Sequence, residues 1–327
     1  MKPRQRNLVF GIVIAAFAVA ASGCEMGPAA TGAFDRSFSV TAPIRLELSN
    51  ASGNVTITGS SDNKVHVHGD VRASGIGFES PQKRLDSVVG NPPVEQKGDT
   101  IRVGKDLSHI HNVSIAYTIE VPHDTELSTQ VVSGSLDISN VRGPVKVDSA
   151  SGSIKVKGVE RQTTLNTLSG SIEAENIGDD LRASSASGSV TASKIKGDVR
   201  ISALSGGTQI IGPGGRVDAD TASGTVEVQG ATRDVKAHAV SGTVDVQGNP
   251  GDTSYWDLKT ASGVVHLGVP RNANFRLSAE AVSGQIKTDV PIVIEEQGKH
   301  SLRARMGNGG GRVEVHTISG EIRVSAS

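Results

Sequence analysis

Residues 151–170 read Ser151-Gly152-Ser153-Ile154-Lys155-Val156-Lys157-Gly158-Val159-Glu160-Arg161-Gln162-Thr163-Thr164-Leu165-Asn166-Thr167-Leu168-Ser169-Gly170. Two Ser-Gly pairs stand 18 residues apart. Between them Ile154 and Val156 alternate with Lys155 and Lys157, the period of two that marks a half-buried strand. Leu165 lies in the second half, so the unit holds two strands of roughly five residues. Turns fall near Gly158, and near Gly178 and Gly197 in later units, and at each Ser-Gly. The spacing then runs outward along the chain. The Ser-Gly glycines are Gly134, Gly152, Gly170, Gly188, Gly206, Gly224 and Gly242, six intervals of 18. Two intervals of 21 lead to Gly263 and Gly284, one of 36 leads to Gly320, and an earlier pair ends at Gly53.

A fixed period of this length is the signature of a repeat architecture. One such unit cannot bury its apolar face alone, so identical places must stack. The expected fold is all-β: a parallel β-solenoid of 18-residue rungs, about ten to thirteen of them, on the order of 50–60 Å long at ~4.8 Å per rung. Counted from Ser153, apolar residues recur at places 2, 4, 11 and 13, and usually at 7 and 16. These places are expected to form inward columns of Val, Ile, Leu and Ala. The Ser-Gly glycines form a column of turns that need φ > 0. The serines beside them (Ser133, Ser151, Ser169, Ser187, Ser205, Ser223, Ser241) are expected to form a hydroxyl ladder that satisfies turn backbone inside the coil. A residue repeated in every rung is not the single nucleophile of a site. Eighteen residues suit a three-sided coil of six per side, and two strands per unit suit a flattened two-sided one.

Composition agrees with narrow stacked strands. Glycine supplies 39 of 327 residues, above the usual ~7%, and aromatic residues are only 3%. The formal net charge is −1 and no basic stripe is visible, which argues against a nucleic-acid partner.

The first residues read as targeting. Lys2, Arg4 and Arg6 precede an apolar run from Leu8 to Ala21, short for a membrane span of ~20 residues. Ala21-Ser22-Gly23-Cys24 follows, and small residues before a cysteine resemble the lipobox of bacterial lipoproteins. That resemblance implies a signal peptide over residues 1–23 and lipidation of Cys24, hence an extracytoplasmic protein held to the membrane by a lipid anchor. Glu25 rather than Asp after the cysteine resembles the outer-membrane sorting pattern more than the inner-membrane one. Cys24 is the chain's only cysteine, so no intramolecular disulfide can form. Residues 24–36 read as a flexible tether, 37–327 as the repeat domain. Its parts are an irregular beginning (37–116), regular repeats (117–288) and a closing part (289–327). No stretch shows helical periodicity of useful length.

Three segments break the period. Residues 73–100, with Pro81, Pro92 and Pro93, read as a long surface loop before a strand at 100–103. The insertion before Gly263 carries Tyr255 and the only tryptophan, Trp256, which the count back from Gly263 puts in the inward column. Residues 290–311, with His300, Arg303 and Arg305, read as an enlarged turn or hairpin.

Four passages carry a family resemblance: Leu46-Glu47-Leu48-Ser49-Asn50-Ala51-Ser52-Gly53-Asn54-Val55-Thr56-Ile57; Tyr117-Thr118-Ile119-Glu120-Val121-Pro122; Val269-Pro270-Arg271-Asn272-Ala273-Asn274-Phe275; and Gly311-Arg312-Val313-Glu314-Val315-His316-Thr317-Ile318-Ser319-Gly320-Glu321-Ile322. In this order they resemble the bacterial DUF4097 family over roughly residues 35–327. That family is provisionally described as adhesins with β-strand repeats. The resemblance implies the solenoid and brings no catalytic residues with it.

The chemistry-bearing residues fit that expectation. Place 3 of successive units runs Asp137, Lys155, Glu173, Thr191, Gln209, Glu227, Asp245, a mixed-sign solvated column in which Glu227 and Asp245 are repulsive neighbours. Acid columns on parallel β-helices build polysaccharide lyase and hydrolase sites, but those need several acids and bases converging in a cleft. No two adjacent columns supply that here, so no catalytic residues are expected and the chain reads as a non-enzyme. His66 and His68, and likewise His109 and His111, alternate on strands, so each pair shares a face that could offer two ligands to Zn²⁺ or Cu²⁺. No further ligand is evident, and neither a metal nor any other cofactor is expected. The functional expectation is a binding or adhesion scaffold of the cell envelope for extended partners, a glycan or an envelope or surface protein. The alternatives are a structural, assembly or regulatory interaction module and, last, a lyase-like enzyme.

Overall fold

The computed structural model describes residues 28–41, 43–75, 79–104 and 112–327. The Cys24 lipidation site and the His109/His111 pair lie outside the described residues. Strands in chain order are β1 (Ala30–Ser39), β2 (Ile44–Ser52), β3 (Val55–Ser60), β4 (Lys64–Ala73), then helix α1 (Pro81–Gly90), β5 (Val94–Lys97), β6 (Thr100–Val103), β7 (Val113–Pro122), β8 (Thr125–Ser133) and β9 (Leu136–Val141). The regular part continues with β10 (Val145–Ser151), β11 (Ile154–Val159), β12 (Thr163–Ser169), β13 (Ile172–Ile177), β14 (Leu181–Ser187), β15 (Val190–Ile195), β16 (Val199–Ser205) and β17 (Thr208–Ile211). Then come β18 (Val217–Ala231), β19 (Val235–Gly248), β20 (Tyr255–Val269), β21 (Phe275–Thr288), β22 (Val293–Gln297), β23 (Ser301–Met306) and β24 (Gly311–Ala326).

The molecule is a parallel β-solenoid with two strands per rung. Residues 18 apart pair in register: Val145 with Thr163, Thr163 with Leu181, Leu181 with Val199, and on the other side Ile154 with Ile172 and Ile172 with Val190. Two parallel ladders therefore face each other across one apolar core. Twelve rungs stack among the described residues, from β6/β7 to β21. The bend between the ladders is the Ser-Gly pair: Gly134, Gly152, Gly170, Gly188, Gly206, Gly224 and Gly242 have φ between 127° and 144°. A left-handed bulge at Asn140, Gly158, Asn176 and Lys194 lets place 7 (Val141, Val159, Ile177, Ile195) point inward after places 2 and 4.

Several expectations are corrected. Place 16 faces outward: Leu168 is 66% exposed and Leu204 63%. The strand keeps its alternation from places 11 and 13, so place 15 points inward and place 16 outward, and Ser149, Thr167, Ser185 and Thr221 are buried there. The Ser-Gly serines do not line the inside of the coil. Ser133, Ser151, Ser169, Ser187, Ser205, Ser223 and Ser241 are all exposed on the outside of the bend, because the bend carries them past the inward parity of their strand. The buried hydroxyls lie instead at inward places 2, 11, 13 and 15, as at Thr208, Thr163, Thr129 and Thr167.

The long loop expected over 73–100 contains α1. Ser80 caps its N-terminus, accepting from Lys83 N at 3.3 Å, and Pro81 stands in the first turn, where its missing N–H costs nothing. Leu85 and Val88 are buried. Prolines that read as loop formers are here a helix start. The tether is shorter than expected, since β1 begins at Ala30 and pairs antiparallel with β4. Phe34 holds it: the ring packs edge-on to Tyr117 at 6.3 Å, over a bare Gly69.

The stacking order departs from chain order at both ends. The β2/β3 rung lies between β6/β7 and β8/β9. At the other end β24 lies between β20 and β21. Antiparallel strands cover the outermost rungs: β5 on β6, β4 and β1 on β7, and the β22–β23 hairpin of residues 293–306 on β21. Trp256 is fully buried in the inward column and donates Nε1–H to the Arg233 carbonyl at 2.7 Å.

Candidate functional site

The feature that stands out is a groove of about 1360 Å³ running along the ladder that precedes the Ser-Gly bends. It is lined from the β8 rung at one end to the β24 and β21 rungs at the other. Its architecture follows from that alternation. Place 14 and place 16 both point outward, with the small inward place 15 between them. The two outward columns become the sides of a trough whose floor is nearly bare backbone.

The place-16 side is apolar. In stacking order it reads Ala51, Val132, Ala150, Leu168, Ala186, Leu204, Ala222, Val240, Ala261, Ile318, Val282. Its large members are 59–66% exposed. Large and small residues alternate rung by rung up to Ile318, so the side is toothed with a period of two rungs. In sequence this is a 36-residue period (Val132, Leu168, Leu204, Val240, and again Val282, Ile318) laid over the 18-residue one. It could have been found by comparing the residue before each Ser-Gly. Counting all apolar places as inward hid it.

The place-14 side is polar: Gln130, Asp148, Asn166, Ser184, Ser202, Asp220, His238, Lys259, His316, Glu280. Neighbours pair along the stack. Asn166 donates to Asp148 at 2.8 Å, and His238 lies 3.0 Å from Asp257. His316 and Glu280 approach to 3.6 Å. The next outward column joins in. Lys236 reaches Asp218 at 3.1 Å and Asp220 at 3.2 Å, and Lys259 reaches Asp257 at 2.8 Å. Partial burial pushes the Asp257 carboxyl up, but Lys259 and His238 outweigh it and hold the group below the usual carboxylate range.

The acid column expected on the other ladder is also internally paired. Lys155 meets Glu173 at 3.2 Å, Gln209 donates to Glu227 at 3.2 Å, and His266 lies 3.2 Å from Asp245. The expected repulsion between Glu227 and Asp245 is relieved by these outer neighbours. His66 and His68 do share a face of β4. Each is engaged by β1: His66 with the Ser37 hydroxyl at 2.9 Å, His68 with Asp35 at 2.8 Å. Among the described residues no group of three or more His, Cys, Asp or Glu side chains is placed to hold a metal. In the hairpin, Arg303 pairs with Glu296 at 2.8 Å and Arg305 with Glu295 at 3.4 Å. Tyr255, half-exposed beside the buried tryptophan, donates its hydroxyl to Glu314 at 2.6 Å under the Arg312 guanidinium.

The repeat, the bend and the end passages match one family model, Toastrack DUF4097, over residues 43–325. The chain belongs to the DUF4097 family. Two solved structures resemble this DUF4097 chain at low similarity. A provisionally named cell adhesion protein from Clostridium sporogenes is 12% identical, covering 90% of this chain and 100% of its own, with a TM-score of 0.23. A provisionally named adhesin from Bacteroides fragilis is 13% identical, covering 90% of this chain and 97% of its own, with a TM-score of 0.24. No curated protein matches the chain.

Proposed function

We propose that this chain is a non-enzymatic binding or adhesion scaffold of the cell envelope, held outside the cytoplasm by a lipid on Cys24, with the outer membrane as its site. The observation that carries the binding role is the groove. It is continuous over the stack, apolar on one side, hydrogen-bonding on the other, and shaped for a partner as long as the solenoid. The polar groups along it pair with one another in rows, an arrangement that recognises length and surface rather than one reacting bond. A glycan or an envelope or surface protein is the class of partner the reading names.

The test is capture of envelope material by the full chain, with and without Leu168→Glu and Leu204→Glu together. Loss of capture in the double variant, with native Trp256 fluorescence retained, supports the reading. Equal capture by both sinks the assignment of the groove. For the anchor, palmitate labelling and outer-membrane fractionation are expected in the native chain. Labelling that survives Cys24→Ala would remove that part of the proposal.

A further inference from the structure

The toothed side of the groove has a period of its own, and a period constrains its partner. Successive large residues stand two rungs apart, about 9.6 Å at the parallel-strand spacing. An extended peptide laid along the axis repeats every two residues, about 6.8 Å. A helix returns the same face every seven residues, about 10.5 Å, and slips out of phase by about 3 Å between Val132 and Val240. A surface of this molecule that repeats at the same interval, over the same length, is this ladder itself.

We infer that the groove face is a self-association surface, on which a second copy of this chain packs with its solenoid axis antiparallel. The inference deepens the scaffold reading and rests on its choice of the groove as the contact face. Symmetry selects the direction. A two-fold axis along the solenoid sets every rung against itself: over the place-16 column it puts Leu168 on Leu168 and Leu204 on Leu204, and anywhere else it sets that apolar column against a different one. A two-fold axis lying in the interface along the strand direction reverses the stack while keeping each column opposite its own copy. Large residues then meet small ones. In one register every large residue that has a partner falls on an alanine: Leu204 on Ala186, Leu168 on Ala222, Val240 on Ala150, Val132 on Ala261 and Ile318 on Ala51 of the second copy. Val282 extends beyond the overlap. Shifting the register by two rungs one way would set Val132 against Val282, and the other way would leave Ile318 as well as Val282 without a partner.

The polar column supplies an independent check, because its residues were not used to choose the register. The same pairing sets Asp148 opposite His238, Asn166 opposite Asp220, Gln130 opposite Lys259 and Ser184 opposite Ser202. No like charges meet along this column, and the His238 and Lys259 side of each copy faces the Asp148 and Gln130 side of the other. Interdigitated side chains between paired sheets are the arrangement of a dry zipper. It would cover five of the six large aliphatic side chains that the single chain leaves 59–66% exposed, all but Val282.

The test uses the full chain with Cys24→Ser, which leaves no other thiol. Two differently tagged forms, one with Ala186→Cys and one with Leu204→Cys, are mixed and oxidised. The expected result is a disulfide between the two forms, at least tenfold more abundant than disulfides within either form alone. Sedimentation should give a dimer for the unsubstituted chain and a monomer for Leu168→Glu with Leu204→Glu, both with native Trp256 fluorescence. Self-crosslinking of Leu204→Cys as readily as the mixture would overturn the antiparallel packing. A chain that stays monomeric at tens of micromolar would overturn the inference altogether. If that monomer still captures envelope material through Leu168 and Leu204, the scaffold reading stands without it.

Discussion

A Cβ built on Gly152 would lie 2.0 Å from the carbonyl oxygen of Gly134, one rung away. The bend is therefore tight in two respects, in its φ of 128° and in the approach of the neighbouring backbone. Gly152→Ala is expected to cost about 1–3 kcal/mol for the backbone conformation alone, with rung displacement added. Gly207→Ala is the control, because a Cβ there meets nothing within 4 Å. Denaturant midpoints of the two variants should differ clearly; equal midpoints would contradict the bend geometry.

Trp256 is a second point of stability. Trp256→Phe keeps most of the apolar volume but leaves the Arg233 carbonyl without its donor, costing about 1–3 kcal/mol. Trp256→Ala adds a cavity and should cost about 3–5 kcal/mol. Because it is the only tryptophan, its emission in the native chain should be that of a water-free site and should shift red at the unfolding midpoint.

The two tyrosines should resist ionisation. The hydrogen bond to Glu314 pushes Tyr255 up to about 12, and burial pushes Tyr117 higher still. Phenolate absorbance of the native chain should stay low through pH ~10, where ordinary tyrosines titrate. Glu314→Gln should bring the Tyr255 titration back down and leave that of Tyr117 unchanged.

His68 gives a pH dependence with a definite sign. The hydrogen bond that its ring donates to Asp35 raises its pKa, with desolvation opposing and Asp70 adding. A raised folded value means that the contribution is complete below the unfolded pKa of ~6.5 and is lost as pH rises through the folded value. The β1–β4 pairing should thus loosen slightly above neutrality, by little, since the ring is 40% exposed. An NMR titration of His68 should give a value above the ordinary one, returning to it in Asp35→Asn.

The solenoid was legible because stacking forces residues 18 apart into one environment, and a column of turns that only glycine fits cannot drift. Strand parity was less legible. It runs unbroken from Thr163 to Leu168, which sends Thr167 in and Leu168 out, and fails only at the bend, where Ser169 is exposed. Apolar character alone cannot report that, because Leu168 is as apolar as a core residue. The helix was hidden by length: Leu85 and Val88 span a single turn, too short for a period to emerge. The order of rungs at the ends was hidden for another reason. A strand that fits between β20 and β21 carries the same pattern as one that would follow β21.

That inserted strand bears on how the molecule is made and how it is lost. In a plain solenoid the terminal rung has one neighbour and frays first. Here the final strand, β24, has one on each side, and the first rung, β2/β3, is likewise enclosed. Removing β24, or β2/β3 once the edge strand β1 is gone, would mean pulling a strand out of the middle of a ladder. During synthesis β24 leaves the ribosome after both of its neighbours, so the slot between β20 and β21 must stay open until β24 arrives. A chain broken off before Gly311 would carry that slot unfilled, with two strand edges bare for any other sheet to join.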